Sequence, residues 1–547
     1  MSTPLEDLDA RAQALMDDHR ALIEVTGDQS TLPSWFKTWS HLKMRVQTLW
    51  IEQIVGQYQR PGDQTTDALH KRFTQYWLPE LEQLDSRLRE QAVQTGVESV
   101  NPAVSRLIAS APPPSPRMAE LNQEFSRLTK QYQDVVSQHH FELGRTVLTM
   151  ADADRLLRES QDRNEREAVW HAVKAVELAS APGLDDLFEK ILSVRRAMAV
   201  EAGHPNYAAY IWQDRQDTIA GTEELLRTIS DVYRDVDTSL HDHRAKVLGV
   251  TALRPWDLRV ALVEPKSFDL PLEQYVPTAL KVLNSLDAQF GEVVRQIQRH
   301  DGFDLAPRPG KPNGNICAHF MAEGRSVLVC NFTGGVNLFR GLLHEVGHAV
   351  HNHSISSNPE HVFWDFMNFW EVQEFYAFVF TYIGLLEFFE LHDIAEEERT
   401  WYLRSTAERI MERFRDVEER TRLELWVYQQ EQQPTTEEID AQYLRLIRTS
   451  GVDWSGLEDV LKKGWQKPHT FRFAFYNVDF AIAMIAALQF VHAFEQDRDA
   501  ALERLKSSML LGATTGSKQI FAAAGIEYPF QKDQLALART VLAGWLG

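Results

Sequence analysis

Apolar residues recur every three or four positions along most of this chain, which is the period of an amphipathic α-helix. Polar residues fill the positions between them, as on helices that bury one face. The pattern extends over residues 5–25, 42–58, 66–92, 118–202 and 336–547. The chain is therefore predicted to be mainly α-helical.

A proline cluster interrupts this pattern early in the chain. Residues 110–116 have the sequence Ser-Ala-Pro-Pro-Pro-Ser-Pro, and clustered prolines do not continue a helix because they lack the amide donor and clash with the preceding turn. We therefore predict an N-terminal helical region over residues 1–110, a linker over 111–117 and the main domain over 118–547.

A second interruption, rich in glycine and proline, covers residues 301–331. It ends in the run Ser-Val-Leu-Val-Cys-Asn at residues 326–331, whose composition favours a β-strand. The sequence thus predicts one small sheet directly before the most informative motif.

The charge balance excludes two classes of partner. The 547 residues include 57 Lys and Arg against 78 Asp and Glu, a formal net charge of −21. Binding to nucleic acid needs a basic face, and docking on an anionic membrane needs basic segments. We therefore predict neither nucleic acid nor membrane as a partner, and the oligomeric state stays open.

The cysteines and the N-terminus indicate the compartment. Cys317 and Cys330 are the only cysteines, too few for a disulfide framework, which favours a reducing environment. No secretory signal is visible at the N-terminus. The longest apolar run, residues 480–491, is too short to span a bilayer and suits a buried helix. A soluble cytoplasmic protein is predicted.

The sequence His344-Glu345-Val346-Gly347-His348 is the strongest chemical signal. Residues four apart lie on one face of a helix, so the two imidazoles are placed to bind one Zn²⁺ ion, with Glu345 beside them to take a proton from water. Apolar residues around the motif form a stripe that would anchor this helix in the core: Phe339, Leu342, Leu343, Val346 and Val350.

A zinc site of this kind needs a third protein ligand. His351 and His353 follow on the same helix, where they would lie along its axis and fit a tetrahedron poorly. Glu371 follows 27 residues after the first histidine (371 − 344 = 27), in an aromatic-rich stretch that indicates a second buried helix. A carboxylate is costly there unless a cation pairs with it. We predict His344, His348 and Glu371 as the ligands of one zinc ion per chain.

Residues 305–351 resemble the oligoendopeptidase F branch of the thimet oligopeptidase family of zinc peptidases. The residues that carry the resemblance are Arg308-Pro-Gly-Lys311, Cys317, Asn331-Phe332 and Leu343–His351. Further similar segments lie at residues 166–170, 201–207, 254–258 and 511–526. The resemblance covers the chain from about residue 160 to its C-terminal end.

The resemblance implies a mainly α fold shaped as a two-lobed helical clam, with a deep central channel that admits short unfolded peptides and excludes folded proteins. The channel would belong to the domain predicted over residues 118–547. A strand beside the zinc helix would pair with the substrate backbone, as an edge strand does by main-chain hydrogen bonds. The matching substrate-binding residues are Ser326, Val327, Leu328, Val329, Cys330 and Asn331.

The resemblance also implies a second cluster late in the chain, within Lys467–Tyr476. There the family places a histidine and tyrosines that donate hydrogen bonds to the oxyanion, and His469 and Tyr476 match them. A preorganised donor at a developing negative charge lowers the barrier by roughly 2.7–4 kcal/mol. We predict both as catalytic residues together with Glu345, the general base.

Some positions depart from the family pattern. Phe378 stands where relatives carry a Glu seven residues after the third ligand, and the spacing up to Glu371 is one residue short. Asp365 and Glu374 are the two carboxylates predicted to orient a zinc-binding imidazole, with no choice made between them.

The late tyrosine cluster is also thinned. Phenylalanines stand where tyrosines are frequent, at Phe473, Phe475 and Phe480. Asp479 lies three residues after Tyr476, where converting-enzyme relatives carry a second Tyr. Asp479 is expected either to bind a cationic substrate group or to have a structural role.

These features together predict a zinc-dependent endopeptidase that hydrolyses short unfolded oligopeptides. A dipeptidyl carboxypeptidase of related fold is the alternative within enzymes, and it would need a cationic grip on the substrate C-terminus. A non-catalytic peptide-binding or peptide-modifying protein on the same scaffold is the alternative from another class.

Overall fold

A computed structural model describes residues 3–25, 31–95, 115–213, 215, 217–262, 268–308, 310–312, 314–367, 369–447, 451–528 and 531–546. Helices dominate these residues, so the predicted mainly α class is confirmed. The helices are α1 (Pro4–Ile23), α2 (Leu32–Gln59), α3 (Gln64–Arg72), α4 (Leu78–Thr95), α5 (Pro116–Ser137), α6 (Met150–Glu159), α7 (Arg163–Glu201), α8 (Tyr207–Trp212), α9 (Ile219–Val232), α10 (Arg234–Leu248), α11 (Tyr275–Leu286), α12 (Ala288–Arg299), α13 (Val336–Ser356), α14 (Trp370–Leu391), α15 (Glu396–Gln429), α16 (Thr436–Leu446), α17 (Glu458–Leu461), α18 (Pro468–Arg472), α19 (Asn477–Gln496), α20 (Arg498–Met509), α21 (Ser517–Ala523) and α22 (Lys532–Leu546). The strands are β1 (His140–Leu143), β2 (Thr146–Thr149), β3 (Phe303–Asp304), β4 (Ile316–Phe320) and β5 (Arg325–Val329).

The chain forms two compact units, each assembled from three separate stretches. The first unit comprises Met1–Pro113, Phe268–Ala395 and Ala486–Tyr528, and the second comprises Pro114–Ser267, Glu396–Ile485 and Pro529–Gly547. Within the first unit, Val362 and Trp364 share a core with the N-terminal helices, and the regions predicted over 1–110, 111–117 and 118–547 stay a prediction. The predicted linker over 111–117 lies mostly outside the described residues.

The core of the first unit explains this grouping. The apolar faces of α1, α2 and α4 meet there, and aromatic side chains from α2 pack on the segment that follows the His-Glu motif. Trp364 stacks on Phe36, with ring centroids 5.0 Å apart, and lies edge-on to Trp39 at 4.6 Å. Burial of large aromatic side chains is a main source of folding free energy, so distant parts of the sequence are joined here.

Helices α13 and α14 cross at Gly347. A Cβ atom at this position would lie 2.9 Å from Cα of Ala377 and 3.0 Å from Cβ of Phe380, so any side chain would force the helices apart. Helix α14 is buried on nearly all sides, as expected of a helix in the interior. This crossing sets which residues of the two helices face each other.

A three-stranded sheet in the first unit packs against α13. Its strand order is β3-β5-β4, with β3 parallel and β4 antiparallel to β5. The predicted strand at residues 326–331 is confirmed for its first four residues, which belong to β5. The strand is thus correctly located, but it lies in the middle of the sheet.

The second unit contains a two-stranded sheet that the helical pattern of the sequence did not predict. Strands β1 and β2 pair as an antiparallel hairpin whose turn includes Gly144, at φ 65°. Phe141 fills the core beside Trp170 and Trp256. This hairpin interrupts the continuous helix pattern predicted over 118–202, because a tight turn with a positive-φ glycine overrides helix propensity.

Two helices are long and apolar enough to cross a membrane by length and composition alone, α14 and α19. Their most apolar windows are 89% and 83% buried within the protein, which is typical of core helices. The apolar run at residues 480–491 lies within α19, so its prediction as a buried helix is confirmed.

Candidate metal centre

Helix α13 presents the two histidines of the motif on one face. The rings of His344 and His348 lie 4.9 Å apart and nearly perpendicular, at 86°. Their side chains are 21% and 18% exposed, so they border the core without being sealed in it. The predicted apolar stripe is confirmed, and its members are buried: Phe339, Leu342, Leu343, Val346 and Val350.

The third member of the group is Glu374, whereas the ligand role of Glu371 stays a prediction. The carboxylate of Glu374 lies 3.5 Å from Nε2 of His344 and 4.0 Å from Nε2 of His348. Among the described residues, these three side chains form the group able to hold a metal ion, with all three ligand atoms within 4.8 Å of one another. Glu371 is buried one turn earlier on the same helix.

The crossing of the helices explains the place of Glu374. Gly347 lies between the two histidines and touches Ala377, which follows Glu374 by three residues. Three residues correspond to about 4.5 Å of rise along a helix, so Glu374 lies close to the crossing and reaches the imidazoles.

The donor set fits zinc. Two atoms bound to one zinc ion at 2.0–2.2 Å must lie within roughly 4.4 Å of each other, and the two distances from Glu374 to the imidazoles meet this limit. Two imidazoles and one carboxylate leave a fourth tetrahedral position open, as in catalytic zinc sites. Within the described part of the chain, neither His351 nor His353 belongs to this group.

Thr381 is a partner of the site that the sequence did not reveal. Its hydroxyl lies 3.4 Å from Nδ1 of His344 and donates to the carbonyl oxygen of Ala377 at 2.8 Å. The hydroxyl oxygen can therefore accept from Nδ1–H of the imidazole, which leaves Nε2 for a metal. Thr381 stands seven residues after Glu374, the spacing that the family pattern gives to a Glu.

Phe378, which stands where the family pattern has a Glu, lies beside the metal centre. Its ring packs against His344, with centroids 5.0 Å apart, and so limits the orientation of that imidazole. Oδ2 of Asp365 accepts from Nδ1 of His361 at 2.9 Å and from the amide of Val362 at 2.8 Å, and it caps the short helix Phe363–Phe366. The predicted role of Asp365 beside a zinc-binding imidazole stays a prediction.

Burial governs the electrostatics of the motif. Burial is the main reason that the pKa of Glu345 is raised to about 7. The neighbouring His344 lowers this pKa, and the charge of Glu374 raises it. Burial lowers the pKa of His348 to about 4, which favours the neutral form that binds metal. In His344, burial lowers the pKa, but the hydrogen bond with Glu374 and the charges of Glu374 and Glu345 together outweigh burial and raise the pKa.

The sheet beside the motif places both thiols near Glu345. Burial raises the pKa of Cys317 and of Cys330, and the charge of Glu345 raises both further. Both cysteines are free. His351 follows the motif on the same helix, and its ring packs 4.3 Å from Tyr376.

The segment predicted to pair with substrate is not an edge strand. On one side of β5, the amides of Leu328 and Cys330 donate to the carbonyl oxygens of Gly302 and Asp304, and on the other side β5 pairs along its length with β4. The expectation of an edge strand at Ser326–Asn331 is therefore wrong. The sequence identifies a strand by composition but does not identify its neighbours.

The outer strand on this side of the sheet is β4. Gln47 of α2 donates from Nε2 to the carbonyl oxygen of His319 at 2.8 Å and so covers the far end of that strand.

In the second unit, His469 and Tyr476 lie together, as their predicted shared role requires. Their ring centroids are 5.5 Å apart with an angle of 33° between planes. Burial lowers the pKa of His469 to about 4, with further lowering by Arg420 and Arg413. His469 is therefore neutral at physiological pH.

Asp479 is engaged by the protein itself. Arg215 donates to its Oδ1 at 2.7 Å and to Oδ1 of Asp217 at 2.9 Å. The carboxylate is 6% exposed. Of the two roles expected for Asp479, this buried ion pair favours the structural one.

Comparisons with known proteins agree with this geometry. The profile of peptidase family M3 matches residues 156–539. An oligoendopeptidase F homolog from Mycoplasma pneumoniae is 24% identical over 262 residues, which cover 46% of this chain and 41% of that relative. The match therefore spans less than half of the relative's length.

Solved structures share the fold. PZ peptidase A with a bound inhibitor has a TM-score of 0.81 at 17% identity, covering 100% of this chain and 98% of that one. A structure described as an oligoendopeptidase F has a TM-score of 0.80 at 19% identity, with coverages of 100% and 97%. Because the family profile matches most of the sequence and the His-His-Glu group lies within the matched range, this chain belongs to peptidase family M3, a family of metallopeptidases.

Proposed function

We propose that the protein is a zinc-dependent endopeptidase that hydrolyses short unfolded oligopeptides. The observation that carries the proposal is the convergence of His344, His348 and Glu374, with Glu345 in the same motif. Membership of a peptidase family supports peptides as the substrate class. The name of the Mycoplasma pneumoniae relative supports the endopeptidase assignment.

The residues have distinct parts in this reaction. When bound, zinc supplies Lewis acidity, which polarises a carbonyl oxygen and lowers the pKa of water to roughly 7. Glu345 takes a proton from the attacking water and passes it to the amine leaving group. Thr381 holds the tautomer of His344, and Phe378 limits the orientation of its ring.

His469 and Tyr476 are proposed to donate hydrogen bonds to the oxyanion. Each side chain carries a polar hydrogen, and neutral His469 donates from one ring nitrogen. The pair provides two donors whose rings lie within 6 Å of each other, a preorganised arrangement of the kind that stabilises developing charge.

The proposal is tested by metal content and by one substitution. The purified protein should contain about one zinc per chain, measured by mass spectrometry of the metal. Glu345→Gln should keep the zinc and lose hydrolysis by roughly 10²–10⁴-fold, the usual contribution of a general base. Undiminished turnover in Glu345→Gln would exclude Glu345 as the base, and a folded protein that takes up no supplied zinc would exclude the metal.

The cleavage mode is tested with blocked peptides. An endopeptidase cleaves peptides whose C-terminus is amidated, whereas a dipeptidyl carboxypeptidase depends on the free carboxylate. Products of a mixed peptide library, read by mass spectrometry with and without a chelator, distinguish the two. Binding of the library without any cleavage would favour a non-catalytic peptide-binding protein.

A further inference from the structure

A short segment of the second unit carries both proposed oxyanion donors. Helix α18 is five residues long, too short to be stable by itself, and the carbonyl groups at its C-terminal end need donors from elsewhere. His469 lies in this helix, and Tyr476 follows four residues after its end. The relative placement of the two side chains therefore depends on what holds the backbone between them.

Arg195 of α7 holds the first half of the segment. Its side chain is fully buried, and it donates from Nη1 to the carbonyl oxygen of Thr470 and from Nη2 to that of Phe471, each at 2.9 Å. Nη1 also donates to the hydroxyl of Tyr428 on α15. A planar guanidinium makes such paired bonds at fixed angles, which a lysine ammonium does not. Arg195 thus fixes the end of α18 against two long helices.

Glu424 of α15 holds the second half. Its Oε2 accepts the amide hydrogen of Phe475 at 2.9 Å, and the residue is 4% exposed. Phe475 has φ 66°, a left-handed conformation that is disfavoured when a Cβ is present. Its ring is buried against Trp212, at 4.7 Å between centroids. The backbone directly before Tyr476 is therefore strained and is held by this hydrogen bond and by ring packing.

Arg195 influences the protonation state of Glu424. Burial raises the pKa of Glu424 to about 7, while the Phe475 amide and the charge of Arg195 lower it. Arg195 therefore favours the ionised form of Glu424, which is the better acceptor for the amide. Strained backbone of this kind is found at functional sites, where the surroundings over-determine it.

We propose that Arg195 and Glu424 are positioning residues, which fix the separation and orientation of His469 and Tyr476 by holding the backbone on both sides of the turn. This inference rests on the proposed role of those two side chains toward the oxyanion. Arg195 and Glu424 act through the two donors, so their loss lowers kcat and leaves KM within about threefold.

The test compares substitutions that remove or keep the hydrogen bonds. Glu424→Leu removes the acceptor and should lower kcat at least tenfold, whereas Glu424→Gln keeps a carbonyl acceptor and should stay within threefold of the parent. Arg195→Lys keeps the charge but loses the paired geometry, and should lower kcat five- to tenfold. Glu418→Leu is the matched control, because Glu418 is equally buried on the same helix and pairs with Arg422. The kcat of this variant should stay within threefold of the parent.

A double substitution separates positioning from general damage. In the His469→Ala/Tyr476→Phe background, Glu424→Leu should reduce kcat by less than twofold, because no donor is left to position. If Glu424→Leu instead damaged the structure generally, its loss of kcat would multiply with the loss caused by the double substitution. Full multiplication of the two losses overturns the inference. If Glu424→Leu does not fold, Arg195→Lys in both backgrounds decides by the same criterion.

The outcomes also separate this inference from the proposed function. If His469→Ala/Tyr476→Phe keeps the parental kcat, the oxyanion role fails, and the positioning inference fails with it. If that double variant is impaired while Arg195→Lys and folded Glu424→Leu keep the parental kcat, only the positioning inference is overturned. A second readout is the pKa of His469, measured by NMR. It should rise toward 6.5 in Glu424→Leu, because release of the segment exposes the ring to solvent. It should stay unchanged in Glu418→Leu.

Discussion

Gly347 and Ala377 touch where the two helices of the metal centre cross, and a Cβ on Gly347 would lie 2.9 Å from the Cα of Ala377. The glycine of the His-Glu motif is thus required by the packing of the helix pair. The contact fixes the axial register of α14 against α13, and this register brings Glu374 to the two imidazoles.

Gly347→Ala is expected to weaken both the fold and the metal site. The added methyl group meets backbone and Cβ atoms that do not move independently, and overpacking of this kind costs about 1–3 kcal/mol. Gly183→Ala is the matched control, because Gly183 lies in an exposed helical position with open space around it. Urea unfolding should show a loss for Gly347→Ala and a small gain for Gly183→Ala. Equal stability of the two variants would contradict the crossing geometry.

The third ligand is tested by a pair of substitutions on one helix. Glu374→Ala should weaken zinc binding by roughly 100-fold or more, because loss of outer partners alone costs 10–100-fold. Glu371→Ala should keep zinc affinity within a few fold. Titration against a chromophoric chelator measures both. Loss of zinc in Glu371→Ala together with retention in Glu374→Ala would restore the assignment made from sequence.

Thr381→Val tests the partner of His344. The substitution keeps the shape of the side chain and removes the hydroxyl that faces Nδ1, so zinc affinity or kcat should fall by roughly 10–100-fold. Thr406→Val is its control: the hydroxyl of Thr406 donates to the carbonyl oxygen of Tyr402, as that of Thr381 does to Ala377. If zinc affinity and kcat are the same in Thr381→Val as in Thr406→Val, Thr381 has no role at the metal.

His361 predicts a pH-dependent contribution to stability. Its Nδ1 faces Oδ2 of Asp365 at 2.9 Å and its Nε2 faces the carbonyl oxygen of Leu510 at 2.8 Å, so only the imidazolium donates to both acceptors. The hydrogen bond with Asp365 raises the pKa of His361. A raised pKa in the folded state means that the contribution is fully present below about pH 6.5 and is lost as the pH rises through the folded-state value.

His361→Gln should therefore destabilise the protein more at pH 5.5 than at pH 9. Hydrogen bonds to charged groups contribute about 1.5–3 kcal/mol, and urea unfolding of parent and variant at both pH values measures the difference. His140→Gln, at an exposed histidine of the β1 strand, is the control and should show no such dependence. A His361→Gln effect that is the same at both pH values would show that the imidazolium does not form.

Periodicity was sufficient to locate the motif helix. Residues His344 and His348 are four apart, their apolar neighbours define one buried face, and both facts depend on local geometry alone. The same reasoning selected Glu371 as the third ligand, but it could not test that choice against Glu374, because α14 is buried on nearly all sides and its apolar pattern gives no preferred face. The choice depends on the register between two helices, which tertiary packing determines.

Other features were out of reach for similar reasons. The strand at residues 326–331 was found from its composition, but its central place in the sheet depends on β3 and β4, which are short and of ordinary composition. The hairpin at His140–Thr149 depends on a single turn around Gly144. The pairing of Arg215 with Asp479 joins residues 264 positions apart, and no local pattern encodes such a contact.

The interleaved make-up of the two units has a consequence for biosynthesis. The helices before Pro113 complete their hydrophobic core with residues beyond Phe268, and their unit extends to Tyr528. A ribosome must therefore deliver residues up to Tyr528 before the first unit is complete, and Val362 and Trp364 join the core of the first helices only late in translation. Apolar surface that stays exposed until then favours aggregation of the nascent chain.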